Sequence, residues 1–339
     1  MKVLVTGAAG FICGYLIPEL LEAGHEVIGV DNFSKYGPTA KSYDRHPRYR
    51  LINGDAKDTE LLTNLAMQCD QLVAGAAMIG GISYFHEFAY DLLAENERII
   101  ASTFDAAIAA LPRGLQKINV LSSSMVFESV TTFPTPEGAQ LTSPPPRSTY
   151  GFQKLACEYF AKGAWEQYQL PYTIIRPFNC VGIGERRALR DAEVMSGNVK
   201  LAMSHVVPDL VQKILRGQDP LHILGDGRQV RHYTYGGDLA KGIRLCVESP
   251  AAVNDDFNLS TRESTTVIQL AQVIWRKIHG PDRPLRLTHD IPFDVDVQMR
   301  VPDVRKAKAV LGFEARTTLD QMLDEVIPWI RDEVAAARI

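Results

Sequence analysis

The chain contains 339 residues, of which 46% are hydrophobic and 22% are charged. This balance is typical of a folded globular protein and excludes the disordered, collagen-like and disulfide-rich secreted classes. At about 100–200 residues per domain, the length allows two domains or one large α/β unit with an elaborated end. The formal net charge of −4, without a basic block, predicts neither nucleic acid nor a membrane surface as a partner.

Cysteine, histidine and apolar patterns narrow the class further. We expect no transmembrane segment, because no stretch reaches the roughly 20 apolar residues that span a bilayer, and no signal peptide. The five cysteines are widely spaced and form no Cys-x-x-Cys pair, which predicts reduced thiols and a cytoplasmic location. The eight histidines show no ligand spacing, so we expect no metal site.

The start of the chain predicts a strand, a helix and a second strand. Residues 3–5 indicate a short buried strand, and the apolar periodicity of 11–23 indicates a helix that stops at Gly24. The β-branched run 26–30, which ends at Asp31, completes a βαβ unit of the usual length.

The alternation continues through the first half of the chain, with further predicted strands over 49–52, 71–76, 117–122 and 172–176, and helices around 58–68, 94–111 and 151–168. Strands that alternate with helices predict an α/β fold with a mostly parallel, doubly wound sheet. Ligands of such sheets bind at the carboxyl ends of the strands.

Past Asn179 the regular alternation fades, and we place a smaller C-terminal substrate-binding region there. Its elements are loops over 182–200, helices over 208–216, 267–278, 303–311 and 319–336, and the segment 225–238.

The turn after the first strand carries a dinucleotide-binding pattern. In Thr6-Gly7-Ala8-Ala9-Gly10-Phe11-Ile12 the glycines let the backbone approach a pyrophosphate at a helix N-terminus. Asp31 follows about twenty positions later, where an acid accepts hydrogen bonds from the adenosine ribose, and its charge favours NAD over NADP. The alternative is a glycine-rich turn that binds no ligand. The residues expected to contact NAD here are Gly7, Ala9, Gly10, Phe11, Ile12, Asp31 and Asn32.

Further residues bear on the dinucleotide-binding pattern. Asp55 follows a predicted strand and is expected to contact the adenine, with a helix cap as the alternative; Ala56 and Ala76 are expected beside the cofactor as well. Cys13 stands where a third glycine normally permits close packing of helix and strand, so we expect a tolerated thiol with some crowding.

A tyrosine and a lysine supply the catalytic signal. Tyr150 and Lys154 are four residues apart at the start of a predicted helix and therefore share one face. The ammonium favours a phenolate, so Tyr150 is predicted to take a proton from a substrate hydroxyl. A solvated helix face is the alternative. The serine run 122–124 at the end of a predicted strand favours the catalytic interpretation, and Ser123 or Ser124 is expected to hold the reacting oxygen.

Together with Arg176-Pro177-Phe178-Asn179, these motifs resemble the extended short-chain dehydrogenase/reductases, specifically the NAD-dependent nucleotide-sugar epimerase/dehydratase family. The resemblance extends over nearly the whole chain, including 225–235 and 300–312. It implies a Rossmann domain over 1–178, to which 230–260 returns, and a nucleotide-sugar-binding region over 179–229 and 261–339. It also implies NAD as cofactor, a nucleotide-sugar substrate and a homodimer.

The resemblance implies further substrate contacts. Arg231 and Arg300 would pair with the substrate diphosphate, with surface ion pairs as the alternative. Asn179 would contact the substrate, with a turn role as the alternative. Gly81, in the segment 80–84 that follows a predicted strand, is expected to line the sugar pocket, with Tyr84 and His86 as further candidates.

The residues after the serines bear on the reaction. In the family that the chain resembles, 4,6-dehydratases carry Asp-Glu after the catalytic residue, decarboxylases carry a Glu there, and the 3,5-epimerase branch carries a Cys. This chain has Ser124-Met125, and Phe127-Glu128 replaces the family's Tyr-Gly. We therefore expect an NAD-dependent nucleotide-sugar 4-epimerase.

Two alternatives to this reaction stay open. One is a dehydratase, decarboxylase or 3,5-epimerase of the same family with an unusual acid or base. Within the 3,5-epimerase branch, His205 is the candidate base, against a structural role for a loop histidine. The last is a catalytically silent module that binds NAD or a nucleotide sugar.

Overall fold

The computed structural model describes residues 1–79, 88–185, 194–196, 199–201, 205–291, 297–336 and 338. Its strands are β1 (Lys2–Thr6), β2 (Glu26–Asp31), β3 (Tyr49–Asn53), β4 (Gln71–Ala74), β5 (Lys117–Leu121), β6 (Tyr172–Pro177), β7 (Cys180–Val181), β8 (Val194–Ser196), β9 (Val199–Leu201), β10 (Leu221–Leu224), β11 (Val230–Arg231), β12 (Thr234–Tyr235), β13 (Asp255–Leu259), β14 (Thr265–Thr266) and β15 (Leu287–Asp290). Its helices are α1 (Phe11–Glu22), α2 (Thr59–Ala66), α3 (Ala89–Ala110), α4 (Thr149–Tyr168), α5 (Val206–Leu215), α6 (Gly236–Glu248), α7 (Val267–His279), α8 (Arg305–Leu311) and α9 (Leu319–Ala335).

Seven parallel strands form the central sheet, in the order β13-β6-β5-β4-β1-β2-β3. The chain moves outward in one direction through β2 and β3 and in the other through β4, β5 and β6. The direction therefore switches between β1 and β4, which is where open α/β sheets form their ligand crevice. The predicted doubly wound parallel sheet is confirmed.

Helices cover both faces of this sheet. Val3 and Val5 of β1 pack with α1 and α6 on one face, while Leu4 packs with α2, α3 and α4 on the other. Burial on both faces explains why the sheet strands are apolar runs rather than alternating ones. Three turns of the same face of α1 supply Cys13, Leu16, Ile17 and Leu20 to the first core.

A smaller region lies beyond the sheet and has its own core. Helices α5, α7 and α9 pack around the parallel pair β10-β15, with Trp275 and Leu323 fully buried among them. In contrast, α6 and β13 join the sheet region, and Leu311 and Phe313 pack into the first core. No helix in the described ranges is both long enough and apolar enough to cross a membrane.

The end of β4 and the start of α3 are among the element boundaries that differ from the expectations. Strand β4 ends at Ala74 rather than at residue 76, because the amides of Gly75 and Ala76 donate to the hydroxyl oxygen of Thr6, at 3.2 and 3.1 Å, instead of continuing the sheet ladder. Helix α3 begins at Ala89, five residues earlier than the predicted start at 94.

Candidate active site

A cavity of about 930 Å³ opens at the carboxyl edge of the central sheet. Residues that directly follow β1, β2, β4 and β5 line it, since parallel strands bring their carboxyl ends to one edge. The predicted residues found in its lining are Gly7, Gly10, Phe11, Ile12, Asp31, Asn32, Asp55, Ala56, Ala76, Ser123, Ser124, Tyr150, Lys154, Asn179, Arg231 and Arg300. Ala9 does not line the cavity, and Gly81, Tyr84 and His86 lie outside the described residues.

The glycine turn forms one end of the cavity. Gly7 has φ +72, and a Cβ there would lie 2.8 Å from the backbone nitrogen of Ala76, so both conformation and close approach require glycine. Gly10 is the N-cap of α1 and has no side chain to bond the first amides of the helix. Those amides and the positive end of the helix dipole favour an anion at this end.

Asp31 is held in place by backbone amides. Its Oδ2 accepts from the nitrogen of Ala9 at 3.0 Å, and its Oδ1 accepts from the nitrogen of Phe33 at 2.7 Å. Burial raises the pKa of Asp31, while these two amides and the charge of Lys41 oppose the rise. Ala9 thus does not line the cavity itself, but its amide orients the Asp31 carboxylate, which does.

Asp55 is anchored beside Asp31. Its carboxylate accepts from the amide nitrogen of Lys57 at 2.9 Å and from the side-chain nitrogen of Asn32 at 3.1 Å. The helix-cap alternative for Asp55 is wrong: Asp58 is the N-cap of α2, and its side chain accepts from the nitrogen of Leu61 at 2.9 Å. Asp55 therefore stays available at the cavity wall.

A second glycine accommodates Cys13. The Cys13 thiol is buried, and a Cβ built on Gly75 would lie 2.7 Å from its Sγ. The space that a side chain at position 75 would fill is thus taken by the thiol, which removes the expected crowding. Burial raises the pKa of this thiol to about 12, so it is a packing residue and not a nucleophile.

Tyr150 and Lys154 lie on the first two turns of α4 and are both buried at the cavity wall. The Lys154 Nζ donates to the carbonyl oxygen of Leu121 at 3.0 Å, which ties this helix to the end of β5. Ser123 and Ser124 lie two and three residues after the end of β5. The two serines and the Tyr/Lys pair line one cavity. The Ser123 Oγ accepts from the amide of Met125 at 3.2 Å.

Sequence reasoning missed a buried polar network beneath these residues. The Ser122 Oγ donates to Glu158 at 2.7 Å, and Glu158 pairs with Arg176. Tyr150, Lys154 and Glu158 recur every four residues of α4, and that spacing is the signal that could have revealed the third member. Ser122 is therefore used to hold α4 rather than only to face the cavity.

Two arginines, Arg231 and Arg300, also line the cavity. The Arg231 Nη1 donates to the carbonyl of Val230 at 2.9 Å. The guanidinium of Arg300 contacts the sulfur of Met125, the residue directly after Ser124. Arg300 therefore lies beside Met125, which packs against Tyr150, and its expected contact with a diphosphate stays a prediction. Asn179 donates to the carbonyl of His232 at 3.3 Å.

The side chains of His205 and Glu185 are in contact in the cavity lining. The Glu185 side chain is buried, whereas half of the His205 side chain is exposed. His205 is also the N-cap residue of α5, although its side chain makes no capping bond. In the parts of the chain that the structure describes, no group of three or more His, Cys, Asp or Glu residues is arranged to hold a metal ion.

The comparisons with known proteins agree with this geometry. A family model described as the NAD dependent epimerase/dehydratase family matches residues 3–260. The chain is 26% identical over 340 residues to a UDP-glucose 4-epimerase of Lactobacillus helveticus, covering 96% of this chain and 95% of that protein. It is also 26% identical over 338 residues to a UDP-N-acetyl-alpha-D-glucosaminuronate decarboxylase of Bacillus cytotoxicus, covering 98% of each.

Among solved structures, the UDP-glucose 4-epimerase of Thermotoga maritima with UDP-glucose is 28% identical and superposes with a TM-score of 0.78. The match covers 98% of this chain and 100% of that one. Epimerases and decarboxylases therefore stand at similar identity, and the choice between reactions depends on the residues of the site.

Proposed function

This chain belongs to the NAD-dependent epimerase/dehydratase family, and on that premise we propose that it is a nucleotide-sugar 4-epimerase. The reaction inverts C4 through a transient 4-keto sugar. The observation that carries the proposal is the residue after Ser124: it is Met125, buried beside the Tyr/Lys pair, and a thioether can neither give nor take a proton. The site then holds what reversible oxidation of one alcohol requires.

The residues of the cavity fit NAD, the cofactor of this family. Gly7, Gly10 and the start of α1 form a pyrophosphate cradle, and the preoriented Asp31 carboxylate suits two ribose hydroxyls. We propose Asn32, Asp55, Ala56 and Ala76 as the adenosine-side wall. When bound, NAD supplies a reversible hydride acceptor.

Tyr150 is proposed as the acid and base of the reaction. Its phenolate takes the proton from the C4 hydroxyl and returns it after the keto sugar has turned over. Lys154 has three donors, of which one bonds Leu121, so the ammonium also stabilises the phenolate charge and contacts the cofactor ribose. Ser123 or Ser124, which line the same cavity, donates to the C4 oxygen.

Arg231, Arg300 and Asn179 are proposed to hold the nucleotide diphosphate and the adjoining sugar, with Gly81 in the sugar pocket. Two guanidinium groups in one cavity match a diphosphate in charge and in donor geometry. Anchoring at the diphosphate lets the hexose rotate while the substrate stays bound, so the second half-reaction begins from a preoriented state.

Three coarser features also stay proposals. We propose a homodimer through α3 and α4, whose exposed aromatic side chains include Tyr90 and Tyr159. We propose that 1–178 and 230–260 form the NAD-binding domain, and that 179–229 and 261–339 bind the nucleotide sugar. We propose a cytoplasmic location, which suits the free thiols of all five cysteines.

Product analysis tests the proposed reaction. The purified protein is incubated without added NAD with UDP-glucose, UDP-galactose, UDP-glucuronic acid and dTDP-glucose, and products are followed by NMR. We expect the C4 epimer of at least one sugar, and none from the Tyr150→Phe variant. A 4-keto-6-deoxy sugar or a pentose would overturn the proposal in favour of a dehydratase or a decarboxylase.

A second candidate is a 3,5-epimerase, which the contact between His205 and Glu185 in the same cavity favours. A carboxylate that orients an imidazole is a common arrangement for proton transfer. The His205→Gln variant separates the two candidates. It would lose all turnover in a 3,5-epimerase but would retain the C4 chemistry of a 4-epimerase.

A further inference from the structure

Glu128 bonds the residue that begins the catalytic helix. Ser148 is the N-cap of α4; its amide nitrogen lies 3.1 Å from Oε1 and 3.2 Å from Oε2 of Glu128, and its hydroxyl donates to Oε2 at 2.5 Å. The Ser148 Oγ in turn accepts from the amide of Gly151 at 3.0 Å. One carboxylate thus fixes both the backbone and the side chain of a cap residue that itself lines the cavity.

The first turn of α4 lies in direct contact with the Glu128 carboxylate. A Cβ built on Gly151 would lie 2.9 Å from Oε2 of Glu128 and 2.9 Å from the carbonyl oxygen of Met125. Gly151 is the neighbour of Tyr150, so the backbone beside the tyrosine lies in contact with the short turn 124–127, which begins at the second of the two candidate serines. Glu128 thus contacts residues on both sides of Tyr150, namely Ser148 two residues before it and Gly151 directly after it.

A separate anchor holds the helix further along. Glu158, two turns after Tyr150, is bonded by Ser122 and Arg176, and Lys154 is bonded to Leu121. These contacts fix the middle of α4 against β5 and β6. The first turn, which carries Tyr150, lies beyond them and is fixed by Glu128 through Ser148.

We propose that Glu128 is a positioning residue for Tyr150 and acts through Ser148. The negative charge also favours this end of α4, because a helix N-terminus carries positive partial charge. The inference rests on the proposed role of Tyr150 as the group that moves the C4 proton. It predicts that loss of Glu128 impairs the chemical step and leaves NAD binding, which involves the separately anchored Lys154, unchanged.

The test compares Glu128→Ala, Glu128→Gln and Ser148→Ala with a control at another helix cap. Thr318 caps α9 with a reciprocal bond to Gln321, far from the cavity lining, so Thr318→Ala removes a cap of the same kind. For each variant we would measure kcat and KM, NAD affinity by titration, the thermal midpoint, and hydrogen exchange of the amides of 149–152.

For Glu128→Ala we expect kcat to fall about 10- to 100-fold, since small misplacements of a reacting group have effects of this size. KM and NAD affinity should not change, and amides 149–152 should exchange faster. Glu128→Gln should recover part of kcat, because its amide oxygen still accepts from Ser148. Thr318→Ala should lower the thermal midpoint but leave kcat and these amides as in the native chain.

The outcomes separate this inference from the proposed function. If the native chain epimerises no sugar, the proposed function fails, while unchanged exchange in Glu128→Ala would independently overturn the positioning role. If the native chain is active, a kcat loss in Glu128→Ala no larger than in Thr318→Ala overturns it. If Glu128→Ala does not fold, the same comparison is made with Glu128→Gln and Ser148→Ala.

Discussion

The guanidinium of Arg176 forms a two-point ion pair with Glu158, with Nε 2.7 Å from Oε1 and Nη2 2.8 Å from Oε2. Both side chains are buried, and the Arg176 Nη1 also lies 2.7 Å from Asp256. The pair joins β6 to α4, so it sets where the helix of Tyr150 and Lys154 lies relative to the serine run.

Removal of one partner should be strongly destabilising. Arg176→Met leaves Glu158 buried without its cation, which typically costs about 3–5 kcal/mol of unfolding free energy. Urea unfolding at neutral pH measures the loss. Lys308→Ala is the control, because it breaks an exposed pair with Glu314 and should cost about 0–1 kcal/mol. Equal losses in the two variants would show that the buried pair does not stabilise the fold.

The hydroxyl of Tyr150 should be needed for catalysis and not for folding. Tyr150→Phe keeps the buried ring but removes the proton carrier, so the epimerisation rate should fall by about 10²–10⁴-fold. The matched control is Tyr159→Phe, which removes the hydroxyl of an exposed tyrosine on the same helix and should have no effect. Native-like turnover by Tyr150→Phe would remove Tyr150 from the mechanism.

Asp31 should set both the affinity for NAD and the preference over NADP. Asp31→Asn keeps one oxygen acceptor for the amides of Ala9 or Phe33 but loses the charge that is proposed to bind the ribose hydroxyls and to repel a 2′-phosphate. The loss of a charged hydrogen bond is worth about 1.5–3 kcal/mol, so NAD should bind about 10- to 100-fold more weakly. Calorimetric titration with NAD and NADP measures both effects.

Asp44→Asn serves as the control for Asp31, since Asp44 accepts from the amide of Lys41 nearby and does not line the cavity. It should leave both dinucleotide affinities as they are. An Asp31→Asn variant that retains the native ratio of NAD to NADP affinity would contradict the assigned role.

Lys117 should make stability rise with pH. Its Nζ is buried and donates to the carbonyl of Cys246 at 2.6 Å, and burial lowers the pKa of Lys117 to about 8. In the unfolded chain the pKa is about 10.4, so between these values the unfolded state binds more protons than the folded state. The burial cost is present in full below pH 8 and disappears as pH rises through this window.

The comparison with Lys117→Met removes the titration of the other four cysteines, which both chains share, while Cys246 is coupled to Lys117 and contributes to the difference. From below pH 8 to above pH 10 the native chain should gain up to about 3 kcal/mol of unfolding free energy relative to the variant. Urea unfolding of both proteins across this range measures the difference. A difference in unfolding free energy that stays constant or falls with pH would show that burial does not lower the pKa of Lys117.

Much of the fold could be predicted from local patterns. Apolar runs that alternate with helical periodicity predicted the strands from β1 to β6, and the rule that parallel strands share a carboxyl edge predicted that Gly7, Asp31 and Ser123 meet. These inferences need only short windows of sequence and one topological rule.

The remainder depends on contacts between distant residues. The end of β4 is set by the Thr6 hydroxyl, which accepts from the amides of Gly75 and Ala76, 69 and 70 residues further along the chain. The capping residue of α2 is Asp58 and not Asp55. The two aspartates are only three residues apart, and the sequence does not distinguish them unless the first residue of the helix is known. The buried roles of Ser122 and Arg176, and the bond of Glu128 to Ser148, likewise require the assembled edge of the sheet.

Turnover in D₂O tests whether the chemistry is confined to C4. In the proposed reaction the C4 hydrogen leaves and returns as hydride without contact with solvent, so we expect a C4 epimer with no deuterium on any sugar carbon. Proton transfer at carbon would instead exchange with solvent. Deuterium at C3, C5 or C6 of the product, read by NMR and mass spectrometry, would show that the protein is not a 4-epimerase acting at C4 alone.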